Sequence, residues 1–134
     1  METFNPAAFL AQMAKPVPRA ILEKRGELVN CTHAASWVGF VCPAYLTAGA
    51  WDALVGQRHR RIMARSESRD QAERLRFLWR AIAAEMARYK AKGITAQAIV
   101  FKHARADAKG LLQVEVRTLQ EARDLYLVVK LTGE

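Results

Sequence analysis

Apolar positions along the chain change period once, near Gly93, from three-and-four steps to alternation. Before that point Leu75, Leu78, Trp79, Ile82, Met86 and Tyr89 recur at helical spacing, the stripe of an amphipathic helix facing a core. Asp70 and Glu73 in its first turns and Lys90 and Lys92 in its last suit the helix dipole, and Gly93 ends it, so the spacing predicts a long helix over 68–92. Beyond it, Ala98–Phe101, Leu111–Val116 and Leu125–Leu131 read as three strands, a β-meander over 95–132. Asp107-Ala108-Lys109-Gly110 supplies turn chemistry between the first two, and Thr118–Asp124 joins the second and third with a helical turn.

Shorter elements are expected before the long helix. Asn5 caps and Pro6 opens a helix carrying Phe9, Leu10 and Met13, which Pro16-Val17-Pro18 ends; a second short helix, Arg19–Arg25, stops at Gly26. Together these form a helical N-terminal segment over 1–26. Glu27–Cys31 reads as a strand, and Thr32 caps a helical turn through Trp37 that Gly39 closes. Phe40–Pro43 is extended, and Thr47 caps a helix, Ala48–Val55, carrying Trp51 and Leu54. Residues 56–69 lack periodicity and form a basic loop. The fold class is α+β: N-terminal helices and short strands, then one long amphipathic helix packed on a C-terminal antiparallel meander, with the strand order left open.

Length adds that the 134 residues form a single globular domain. The apolar stretch Ala34–Leu46 is broken by Ser36, Gly39 and Pro43 and is too short to span a bilayer. The first residues lack the basic and apolar regions of a secretory signal, which predicts a soluble cytoplasmic protein without membrane partners. Cys31 and Cys42 are then expected to be reduced and buried.

Charge changes the picture more than any motif. The window 58–92 holds eleven Lys/Arg (Arg58, Arg60, Arg61, Arg65, Arg69, Arg74, Arg76, Arg80, Arg88, Lys90, Lys92) against Glu67, Asp70, Glu73 and Glu85, nearly the whole net charge of +8. Guanidinium forks suit phosphate and carboxylate alike, so the run reads as a solvated face, a surface for an acidic protein or ribonucleoprotein, or a nucleic-acid contact. Aromatics interleaved with the basic residues, which single-strand binders use for stacking, are missing from the Arg58–Arg65 run, as are helix-turn-helix and zinc-finger patterns. Trp37, Trp51 and Trp79 all lie in apolar surroundings and are read as core, with Trp37 an interface anchor if exposed.

Catalytic and ligand chemistry is not spelled out. Cys31, His33, Cys42 and His103 match no paired metal-ligand spacing, and a Cys31/His33 nucleophile pair lacks an orienting acid. A Gly-rich phosphate loop and G-x-S-x-G are missing. The expectation is a non-enzyme with no cofactor and no metal.

A resemblance narrows the context. Glu27-Leu28-Val29-Asn30-Cys31, Ala34-Ala35 through Gly39-Phe40, Val41-Cys42-Pro43-Ala44-Tyr45-Leu46-Thr47 and Ala50-Trp51 follow one another in the order of a domain family of unknown function. That family occurs in small proteins encoded on plasmids and phages of Gram-negative bacteria. The chain departs from it at Asn30, where an acid is usual, and in its arginine-rich insertion after Gly56. In size and charge the chain also looks like anti-CRISPR inhibitors. The resemblance implies a mobile-element protein. The expectation built on it and on the charge is a protein that inhibits a host defence complex, a CRISPR-Cas ribonucleoprotein, with Arg58, Arg60, Arg61, Arg65, Arg69 and Arg76 of the basic run as the contact residues. The alternative is a basic DNA-binding accessory or regulatory protein of a plasmid or phage. Oligomeric state stays open.

Overall fold

The computed structural model describes residues 17–56, 69–94, 98–106 and 109–134, with the backbone alone at Arg69 and Asp70. The expected Asn5–Pro16 helix and the basic loop lie outside the described residues, apart from Gly56 and the Arg69 backbone.

Helix α1 (Arg19–Lys24) starts behind Pro18 and ends at Arg25, where Gly26 takes a φ of +78° that a side chain disfavours. Strand β1 (Leu28–Asn30) follows, and the Asn30 Oδ1 accepts from the Thr32 backbone N–H at 2.9 Å to turn the chain into α2 (Thr32–Ser36). Strand β2 (Ala44–Thr47) comes later than the extended Phe40–Pro43 read from the sequence. Pro43 has no N–H to give a ladder and serves through its carbonyl, which accepts from Leu127. Thr47 caps α3 (Ala48–Leu54) as expected, its hydroxyl accepting from the Ala50 N–H at 3.1 Å.

Helix α4 (Arg69–Ala91) matches the predicted long helix. Strands β3 (Ala98–Ala104), β4 (Leu111–Glu121) and β5 (Asp124–Leu131) form the meander. The helical turn expected over Thr118–Asp124 is replaced by strand, paired down to Glu121 opposite Asp124. Only Ala122 and Arg123 remain for the turn, and Ala122 adopts a φ of 55°.

The five strands form one sheet in the order β1-β2-β5-β4-β3, with β2 parallel to β5 and every other pair antiparallel. One face carries Ala44, Leu46, Val114, Val116, Leu127 and Val129 against Trp51 and Leu54 of α3 and Leu75, Leu78, Trp79 and Ile82 of α4. The other face is covered at one side by α1, where Leu22 packs on Leu28, Tyr45, Tyr126 and Val128. Strand β5 is thus buried on both faces, which is why Tyr126–Val129 reads as an unbroken apolar run instead of alternating. The α+β fold stands, with β1 and β2 extending the meander into a mixed sheet.

Candidate functional site: a cationic aromatic pocket between α2 and α4

The site begins with two small residues. Ala34 and Ala35 of α2 are buried, and their size lets the short helix sit on the main core beside α4. The chain then turns: Val38 and Phe40 N–H groups both donate to the Ala35 carbonyl, and Gly39 takes a φ of +97°. That turn sends neighbouring aromatics opposite ways. Phe40 points inward, edge-on to Trp79 with ring centroids 5.7 Å apart. Trp37 points outward and is 41% exposed, so the core position read for it from apolar surroundings is corrected; Trp51 and Trp79 are core. A five-residue helix closed by Gly39 is too short to cover an indole that leaves on its outer side.

Opposite Trp37, helix α4 presents Arg76 and Arg80, one turn apart and away from Leu75, Leu78 and Trp79. The Arg76 guanidinium carbon lies 4.9 Å from the Trp37 ring centroid, a cation–π contact. His33 meets the same indole edge-on, with centroids 5.6 Å apart. Trp37, Val38, Arg76 and Arg80 line a pocket of about 240 Å³. Its walls are one indole, one aliphatic side chain and two guanidinium groups.

The arginines of α4 divide by what they touch. Arg74 donates to the Val55 carbonyl at 3.3 Å and ties the end of α3 to α4. Arg88 pairs with Glu85 at 2.9 Å. Among the described residues no carboxylate pairs with Arg76 or Arg80. Like charges at this spacing destabilise a helix by about 0.2–0.5 kcal/mol, which offsets part of what the Arg76–Trp37 contact contributes.

No known protein family, curated protein or solved structure matches this chain. Geometry therefore carries the functional reading. Of the residues singled out from sequence, Arg76 lines the pocket, Arg69 opens α4 with its side chain outside the description, and Arg58, Arg60, Arg61 and Arg65 lie outside the described residues. The reading from sequence kept Trp37 as an interface anchor if exposed, which it is, and missed Val38 as a pocket wall. It also took the basic run as lacking aromatics, whereas the fold supplies one from a segment some forty residues earlier.

Other chemistry-bearing groups are placed differently. His103 is buried between Phe77 (4.9 Å) and Phe101 (6.0 Å), and burial holds its pKa below the usual histidine value. Arg19 lies over the Tyr126 ring at 5.0 Å and reaches Asp124 at 3.6 Å, holding α1 on the sheet. Neither Cys31 nor Cys42 is in a disulfide; Cys31 is buried as expected, while Cys42 is only partly so. Among the described residues no three His, Cys, Asp or Glu converge as a metal site, and no helix is long and apolar enough to cross a membrane.

Proposed function

We propose that this is a non-catalytic binding protein that docks its basic face on an acidic protein or ribonucleoprotein surface of a bacterial host. In its specific form the target is a CRISPR-Cas ribonucleoprotein, which a plasmid- or phage-encoded protein of this kind occupies and inhibits in the cytoplasm. The observation that carries the reading is the Arg76–Arg80 pair, in no ion pair with a carboxylate among the described residues and set beside a half-exposed indole. Tryptophan and arginine together are the side chains most enriched among residues that dominate interface energies. The arginines Arg58, Arg60, Arg61, Arg65 and Arg69, which precede Arg76 in the chain, add long-range attraction to the same anionic partner.

The test is protection. Expression in a bacterium with an active CRISPR-Cas system should restore plaquing by a targeted phage. Reversal at Arg60, Arg61 and Arg65, or at Arg76 and Arg80, should abolish it. Protection that survives both reversals would sink the basic-face reading, and no protection against any CRISPR-Cas type would sink the inhibitor reading.

The Trp37–Arg76 contact also favours a second reading, a basic DNA-binding accessory protein of the same mobile element. The two part on salt: backbone binding weakens steeply with ionic strength over unrelated sequences, whereas a protein interface with a desolvated core persists at physiological salt.

A further inference from the structure

We infer that the pocket between α2 and α4 receives one nucleotide of a single-stranded nucleic acid, its base against Trp37 and its phosphate between Arg76 and Arg80. This deepens the function proposed above: it assigns this part of the basic face to the nucleic-acid component of the target. It rests on that reading only for where such a strand is met.

Three features carry it. A carboxylate side chain needs one guanidinium fork and leaves an indole unused, whereas a nucleotide uses both kinds of wall at once. The exposed part of Trp37 and the plane of the Arg76 guanidinium are both surfaces on which bases stack. Arg80, one turn along α4, places a second cation at the same pocket, whose lining includes no acid among the described residues. A duplex keeps its base faces stacked inside and cannot use this pocket, so the strand must be single.

The protein carries its own reporter. Trp51 and Trp79 are 5% and 0% exposed, so a ligand that changes tryptophan emission on binding acts through Trp37. The experiment titrates the full chain with an oligothymidylate of about six nucleotides, within the span of small single-strand sites. A duplex of equal length and a polyglutamate peptide are titrated beside it. The single strand should quench emission, and Trp37→Phe should remove most of that signal. The double variant Arg76→Ala/Arg80→Ala should bind on the order of tenfold or more weakly. Loss of the contact to that one phosphate should also lower the slope of log affinity against log salt by about 0.7. Arg76→Lys/Arg80→Lys, which keeps the charges, should keep most of the slope while losing affinity.

No quenching by the single strand, or equal affinity in the alanine double variant, would overturn the inference. Polyglutamate binding as tightly as the oligonucleotide would overturn it too, and would assign the pocket to an acidic peptide. If oligonucleotide binding fails while phage protection is retained, this inference falls alone. If the oligonucleotide binds but protection fails, the inhibitor reading falls instead.

Discussion

Trp37 and Trp79 are the same residue type in opposite roles, and replacing each by alanine should separate them. Trp79 is fully buried among Phe40, Leu78 and Ile82. A tryptophan buries roughly 150–250 Å², so at about 25 cal/mol per Å² its burial is worth about 4–6 kcal/mol. Its indole Nε1 has no hydrogen-bond partner among the described residues, and losing that orphan donor offsets about 1–3 kcal/mol of the deficit. The remaining cavity adds back a part, for an expected net loss of about 3–4 kcal/mol. Trp37, 41% exposed, leaves no closed cavity when truncated. It gives up its contact with Arg76, about 0.5–1 kcal/mol at an exposed site, and some covering of Val38, for an expected total of about 1–2 kcal/mol. Urea unfolding followed by far-UV circular dichroism measures both. Ligand binding should show the opposite ranking, with Trp37→Ala losing affinity and Trp79→Ala losing only what instability costs. Equal destabilisation by the two variants would refute the assignment of Trp37 to binding and return it to the core.

Further outcomes follow from other residues. Thr47→Val removes the cap on Ala50 N–H and the 3.0 Å bond to the Glu134 carboxylate, and should cost about 1–2 kcal/mol, while Thr47→Ser should stay near wild type; thermal melts distinguish them. Ala122→Gly should stabilise by about 0.5–1 kcal/mol in the same melts, because Ala122 holds a left-handed φ of 55° in the two-residue turn. Burial holds the folded pKa of His103 below its ordinary 6.5, so the unfolded chain takes up the proton first. Stability present above that value should therefore fall as pH drops below it, and His103→Leu should flatten the change measured between about pH 7.5 and about pH 5.5.

Legibility in the sequence followed the strength of local periodicity. Helix α4 was readable because its buried stripe and terminal charges agree over six turns. Gly26 and Thr47 marked an end and a start through backbone chemistry that needs no tertiary partner. Strand β2 was shifted because Ala44–Thr47 is held by β1 and β5, neither of which is near in sequence. The end of β4 was misread because Arg117, Thr118 and Gln120 are polar, and their pairing with β5 appears only once the hairpin closes. The pocket was half readable. Arg76 and Arg80 share a face by spacing alone, but the outward turn of Trp37 depends on where Ala35 and Gly39 set the chain against α4.

Affinity capture of the tagged protein from its bacterial host at physiological salt, with and without nuclease, in wild type and an Arg76→Glu/Arg80→Glu variant, tests the central claim most directly. The account predicts a defined, stoichiometric set of defence-complex subunits that survives nuclease with the wild type and is lost with the variant. Heterogeneous nucleic acid with no defined set of subunits surviving nuclease, or an identical set with both proteins, would contradict it.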